Sequence, residues 1–314
     1  MADLISVGEC LIELSSEKPL ANSEIFQKSY AGDTLNVISM ASALGVSCGY
    51  ITRVGKDPFA EYLISSWKNQ LIDTSQVKLV PGYNAIHFIS LLSEGNREFV
   101  YYRKNSAAST LCKEDIDEQF IVNSKILHLS AICQAISETS NESILFAAQI
   151  AKKNQVKISF DTNLRLNLTS SKNALKNINK ILPYVDIIFP SYPDESFNLL
   201  KLKSKKDVAQ YFLDQGVKLV VLKCGNEGAT VVSKDSTFSV QSISPNGVLD
   251  TSGAGDAFVG GFLYGQINKM TTIESSKYGI ACSGLKVGGF GALKSQPSKN
   301  DVLKQINNIE IVHQ

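Results

Sequence analysis

The sequence predicts an α/β fold, a doubly wound sandwich on a mostly parallel sheet, and three observations carry that expectation. Short apolar runs bounded by turn residues recur along the 314 residues. Amphipathic helical patterns fall between the runs. Two stretches near the beginning break this rhythm with alternation of period two.

The apolar runs are Leu4 to Val7, Cys48 to Thr52, Ile126 to Leu129, Val156 to Phe160, Ile187 to Phe189 and Leu219 to Leu222. They suit strands buried on both faces of a parallel sheet. Helical patterns cover Leu35 to Leu44, Phe59 to Asn69, Asn141 to Lys152 and Lys206 to Gln215. Strand and helix in alternation argue for layers of helix on both sides of the sheet. The exceptions run roughly from Cys10 to Tyr30 and from Ala85 to Arg103, with the turn Glu94-Gly-Asn-Arg97 inside the second. They read as antiparallel strands and a hairpin. A small sheet inserted there suits a lid over an active site, with its strands within residues 10–31 and 84–104 and the remainder of a single domain, 1–314, as α/β core.

Composition narrows the partners. Lys and Arg number 31 against 30 Asp and Glu, a net charge of +1. No overall field draws nucleic acid or an anionic membrane, so a small molecule is the expected ligand. The first residues lack a basic flank with a long apolar stretch, and no run of about 18 apolar residues follows, which points to a cytoplasmic protein. Six cysteines (Cys10, Cys48, Cys112, Cys133, Cys224 and Cys282) form no CxxC pair and suit reduced, buried thiols.

The strongest chemical signal is Leu249 to Phe262, where a polar glycine-rich turn runs into helical apolar spacing at Ala257, Phe258, Gly261 and Phe262. A helix N-terminus just after the glycines offers free amides and the positive end of the helix dipole to an anion such as a transferring phosphoryl group. Gly253, Ala254 and Gly255 let the backbone come close. Asp256 stands at the mouth of this anion site, where a carboxylate repels phosphate unless it has a task. Taking the proton of an attacking hydroxyl is such a task; capping the helix is the alternative. The segment is neither a Walker A loop nor a GxGxxG turn.

Asp250-Thr-Ser-Gly-Ala-Gly-Asp256 resembles the C-terminal signature of the ribokinase-like (PfkB) carbohydrate kinases. The resemblance implies a three-layer α/β/α sandwich with a small β-sheet lid, ATP as donor and Mg²⁺ at the phosphates, and it admits a monovalent cation. It makes Asp256 the catalytic base and the Gly253, Ala254 and Gly255 amides the anion hole. Four further segments resemble 2-keto-3-deoxygluconate kinases: Gly8-Glu-Cys-Leu-Ile-Glu-Leu14, Ala31-Gly-Asp-Thr-Leu-Asn36, Tyr101-Tyr-Arg-Lys-Asn-Ser-Ala107 and Phe160-Asp-Thr-Asn-Leu-Arg165. By that similarity Gly32, Asp33 and Asn36 meet the sugar hydroxyls, with Tyr101 beside them. His87 replaces a substrate-facing tyrosine on the first lid strand. On the nucleotide side the similarity implies Ser191, Lys223, Gly225 and Gly228, together with Gly253 and Gly255. Asp194 and Glu195 replace the usual acidic motif near Mg²⁺ and would act through water. Ala281 to Val287 and Gly288 to Gly291 fit the helix and loop that line the adenine, with an apolar helix packed on the sheet as the alternative.

A sugar acid brings a carboxylate into a closed pocket and so requires a cationic partner. Tyr101 and Arg103 lie two apart on an expected strand and face one side, while Tyr102 and Lys104 face the other. Arg165 follows the C-terminal end of a buried strand, where open α/β sheets bind ligands. An arginine fork suits a carboxylate, although Arg103 and Arg165 could instead pair with protein acids such as Asp161. The expected reaction is ATP-dependent phosphorylation of a sugar acid, 2-keto-3-deoxygluconate foremost. The alternatives are a fructokinase or other neutral-sugar kinase, and a non-catalytic sugar-binding regulator. Exposed lid strands pair or pack between subunits, so a homodimer or larger assembly is expected.

Overall fold

Each buried strand must hide side chains on both faces, and the way these residues divide between two cores sets the architecture. The computed structural model describes residues 1–91 and 97–313. It opens with β1 (Leu4–Val7), β2 (Leu11–Ser16) and β3 (Gln27–Ala31), then α1 (Asp33–Ala43) and β4 (Cys48–Gly55). Next come α2 (Ala60–Asn69), β5 (Ile72–Asp73), β6 (Val77–Val80), β7 (Ala85–Leu91) and β8 (Arg97–Tyr102). The central part holds α3 (Glu118–Val122), β9 (Ile126–Ser130), α4 (Ala131–Ala135), α5 (Glu138–Lys153), β10 (Lys157–Asp161), α6 (Ser171–Ile181) and β11 (Ile187–Phe189). The remainder is α7 (Asp194–Leu200), α8 (Lys205–Asp214), β12 (Leu219–Lys223), β13 (Ala229–Val232), β14 (Thr237–Val240), α9 (Ala254–Ile267), α10 (Thr272–Lys286), α11 (Lys299–Gln305) and β15 (Ile311–His313).

Neighbours along a strand belong to different cores. Leu4 joins one apolar cluster and Ile5 and Val7 the other; Ile126 stands opposite Leu127 and Leu129, and Val221 opposite Val220 and Leu222. Helices α1, α2 and α9 to α11 cover the first face, and α3 to α8 the second. The result is the expected three-layer α/β/α sandwich. Its strand order is β15-β14-β13-β12-β11-β10-β9-β1-β4-β5, with β6 also on β4. Pairing is parallel from β12 to β5 and antiparallel at the β13 to β15 edge. From β1 the chain crosses to β4 on one side and later to β9 on the other, so the sheet reverses direction at β1 and opens a crevice at its carboxyl edge.

The lid is a second sheet of order β3-β2-β7-β8. Its outer pairs are antiparallel, as the alternation suggests, but the inner pair β2–β7 is parallel. Between β3 and β7 the chain leaves the lid to build α1, β4 and α2, and a connection that long can return a strand in the same direction. Of the turn expected at Glu94 to Arg97, residues 94–96 lie outside the described residues.

Helix α9 is buried on most sides. A Cβ on Gly260 would lie 2.6 Å from the Val37 carbonyl of α1, and one on Gly261 would lie 2.6 Å from the Tyr278 carbonyl of α10. Both glycines are needed for this close approach, and it fixes the helix that carries Asp256. The six cysteines are free, and no described helix is long and apolar enough to cross a membrane.

Candidate active site

The carboxyl ends of the parallel strands and the inner face of the lid enclose a cavity of about 670 Å³. Glu9 follows β1, Ile132 follows β9, Asn163 and Arg165 follow β10, Ser191 follows β11, and Lys223 ends β12. Strand register aligns Glu13, His87 and Tyr101 across the lid, and all three line the cavity.

At one end the chain turns into α9. Gly253 takes φ +71° as its N-cap, a conformation that favours glycine, with the would-be Cβ 2.8 Å from the Ala292 side chain. The helix begins at Ala254, within the glycine stretch. The Ala254 amide donates to the Thr251 carbonyl at 3.1 Å. The amides of Gly253 and Gly255 have no backbone acceptor among the described residues, and it is these two residues, not Ala254, that line the cavity.

Asp256 sits in the first turn, where its Oδ2 accepts from Asn36 Nδ2 at 2.7 Å. Asn36 Oδ1 accepts the Gly32 amide at 3.3 Å, so the asparagine is pinned at both ends of its side chain. A Cβ on Gly32 would fall 2.1 Å from the Glu9 carbonyl, which excludes any larger residue there. Burial, then the negative charge of Asp33, pushes Asp256 up to about 7, against the Asn36 hydrogen bond and the Lys223 ammonium. Asp33, on the first turn of α1, is itself raised by burial. Asp256 is thus a carboxyl poised to exchange a proton near neutrality.

Lys223 donates to both oxygens of Asp161, at 2.8 and 2.6 Å, and stands 3.5 Å from where a Gly255 Cβ would be. Burial opposes its charge, but Asp161 and Glu195 outweigh burial and keep it protonated. Glu195 accepts from Thr162 Oγ1 and is raised by burial. Asp194 is exposed, and neither acid lines the cavity. No group of three or more His, Cys, Asp or Glu side chains among the described residues is arranged to hold a metal ion. Gly225 and Gly228 also lie outside the cavity lining. A Cβ on Gly228 would meet the Val240 carbonyl at 2.0 Å, so that glycine serves the β12–β13 turn. In α10, Ala281 and Cys282 are fully buried, with Cys282 against Gly261, as a helix packed on the core requires.

The lid end of the cavity is rich in paired polar groups. Arg103 forms an ion pair with buried Glu9, and burial lowers the arginine to about 10, still cationic at neutral pH. His87 Nε2 lies 3.0 Å from Glu13 Oε2, and Ser29 Oγ donates to Glu13 Oε1 at 2.6 Å. Burial resists ionisation of Glu13, yet these partners win and hold it below its usual value. His87 Nδ1 is buried with no hydrogen-bond partner among the described residues. Arg103 and Tyr101 face the cavity while Tyr102 is exposed, as the two-residue spacing predicts. Asp161, an expected alternative partner for the arginines, serves Lys223 instead. Arg165 donates only to the Leu164 carbonyl, at 3.2 Å, and no carboxylate ion-pairs with it among the described residues. Glu9 and Glu13 line the cavity and Asp161 braces Lys223, three acids beyond the site residues that the sequence points to. The available signal was a carboxylate set directly against an apolar strand, as in Val7-Gly-Glu-Cys-Leu or Ile-Ser-Phe-Asp161.

A sheet-edge crevice, a glycine-capped helix aimed into it, a poised carboxylate and a lid together define a phosphotransferase acting on a small polyhydroxy acceptor. Residues 1–299 match the pfkB family of carbohydrate kinases, and the chain belongs to that family. It is 30% identical to a 5-dehydro-2-deoxygluconokinase of Clostridium beijerinckii, over 94% of this chain and 90% of that protein. It is 32% identical to a probable chloroplastic fructokinase-6 of Arabidopsis thaliana, over 95% and 81% of the two chains. Identity to a 2-dehydro-3-deoxygluconokinase of Thermoproteus tenax is 29%, over 96% and 93%. Among solved structures, a putative ribokinase II from E. coli in complex with ATP and Mg²⁺ is similar with a TM-score of 0.89 at 26% identity, covering 98% of this chain and 100% of that one. The protein is a carbohydrate kinase.

Proposed function

We propose that this kinase phosphorylates a sugar acid, 2-keto-3-deoxygluconate in the first place, on its primary 6-hydroxyl. The carrying observation is Arg165, the one cation lining the cavity that has no acidic partner among the described residues. A carboxylate entering this space needs a cation that is not already spent. Arg103 and Lys223 are spent on Glu9 and Asp161. The relatives named as deoxygluconokinases support an acidic sugar.

In the proposed reaction the sugar lies under the lid with its carboxylate toward Arg165 and its hydroxyl toward Asp256. Asn36 orients the Asp256 carboxylate, which accepts the hydroxyl proton as the oxygen attacks the γ-phosphorus of ATP and the bond to the β,γ-bridging oxygen breaks, releasing ADP. The amides of Gly253 and Gly255 and the Lys223 ammonium face the charge that develops on the transferring group. When bound, Mg²⁺ would supply charge neutralisation at the phosphates; Asp194 and Glu195, the acids the sequence offers for it, lie outside the cavity lining.

A neutral-sugar kinase is the second reading, favoured by the pairing of Arg103 with Glu9, which leaves the sugar end with little net positive charge. A coupled ADP-release assay across 2-keto-3-deoxygluconate, its galactonate epimer, 5-keto-2-deoxygluconate, fructose and ribose separates the two. The sugar acids are expected to give the highest kcat/KM. Fructose outperforming every acid would reverse the assignment.

A further inference from the structure

Lys286, at the end of α10, is the only lysine among the described residues with a fully buried side chain. Its Nζ donates to the Asp250 carbonyl at 2.8 Å and lies 3.8 Å from Asp250 Oδ2. Burying an ammonium is costly unless its partners compensate, and an apolar side chain would fill this place in the core without that cost. The compensation is local and elaborate. Asp250 Oδ1 accepts the Ser252 amide at 2.9 Å, and Oδ2 accepts the Gly291 amide at 2.8 Å. The amides of Leu249 and Asp250 both donate to the Val287 carbonyl, next to the lysine. Ser295 Oγ closes the far side by donating to the Gly291 carbonyl at 2.9 Å.

This clasp grips the chain three residues before Gly253, whose left-handed backbone starts α9 and aims the Gly253 and Gly255 amides and Asp256 into the cavity. We propose that Lys286 is a positioning residue for phosphoryl transfer: its ammonium locks Asp250 and thereby holds the glycine turn in register with the acceptor hydroxyl. Lys286 does not line the cavity, so it acts only through the turn. The proposal rests on the reading that transfer occurs at this turn.

The test compares Lys286→Met with Asp256→Asn in the full chain, measuring kcat, both KM values and the melting temperature. A displacement of the turn by about 1 Å is expected to lower kcat by roughly 10- to 100-fold while the sugar KM stays near wild type. Rescue of kcat by Lys286→Arg, which keeps a buried cation, supports the role. A folded Lys286→Met enzyme with wild-type kcat overturns it, even if Asp256→Asn is inactive. If Asp256→Asn is itself fully active, the underlying reading of the turn fails instead. Should Lys286→Met not fold because Asp250 loses its partner, the double variant Lys286→Met/Asp250→Asn removes both charges. A folded double variant with low kcat upholds the proposal, and one with wild-type kcat or one that still does not fold overturns it.

Discussion

The two ends of the cavity are built by opposite means. At the phosphoryl end a single stretch, Asp250 to Asp256, supplies the left-handed glycine, the helix terminus and the carboxylate, and buried α9 holds them in place. At the lid end Glu9, Glu13, His87, Tyr101, Arg103 and Arg165 come from both lid hairpins and two core strands, with Arg103 ion-paired to Glu9 and His87 within hydrogen-bond distance of Glu13. Chemistry common to all substrates can be encoded in local backbone geometry. On the proposed reading, selection of one substrate depends on which charge is left over after distant residues have paired, and that charge is Arg165.

The sharpest break between the ends comes from Asp256→Asn. The variant should fold and bind sugar with a similar KM, while kcat falls by roughly 10²- to 10⁴-fold, the range for a positioned general base. Steady-state kinetics with both substrates measures this, and an unchanged kcat removes Asp256 from the role. Next in size is Glu9→Gln, which tests whether the lid end is held by its paired charges. Removing one member of a nearly closed ion pair should cost roughly 2–4 kcal/mol in urea unfolding, part of it recovered in Glu9→Gln/Arg103→Gln. Equal stability of Glu9→Gln and wild type would show the pair to be incidental.

The pH profile gives the smallest of these effects. Asp256 must be ionised to accept a proton, and it is held up to about 7. Protonation as pH falls through that value should therefore lower kcat/KM by about tenfold per pH unit below it, with a plateau above. A profile flat to pH 5 would place the controlling group elsewhere. Asp256→Asn should abolish the inflection along with most of the rate.

This contrast also explains how much the sequence disclosed. The parallel strands were legible because neighbours such as Leu4 and Ile5 are both apolar, and α9 because its glycine turn leads directly into helical spacing. Twelve of the expected site residues reach the cavity, Gly32, Asp33, Asn36, His87, Tyr101, Arg103, Arg165, Ser191, Lys223, Gly253, Gly255 and Asp256. What stayed hidden was pairing. Asn36 and Asp256 are 220 positions apart, and Asp161 and Lys223 are 62 apart, so no local pattern announces either contact. Asn36, which the sequence places beside the sugar hydroxyls, also donates to Asp256. Strand direction was hidden too, because alternation along β2 and β7 is the same whether they run parallel or antiparallel.

The proposed substrate class stands or falls with Arg165. The most direct measurement is the KM for 2-keto-3-deoxygluconate in wild type and Arg165→Ala, with the KM for ATP as the internal control. Loss of a charge-assisted carboxylate contact should raise the sugar-acid KM by roughly 10- to 100-fold and leave the ATP value unchanged. An unchanged sugar-acid KM in the folded variant would contradict the account.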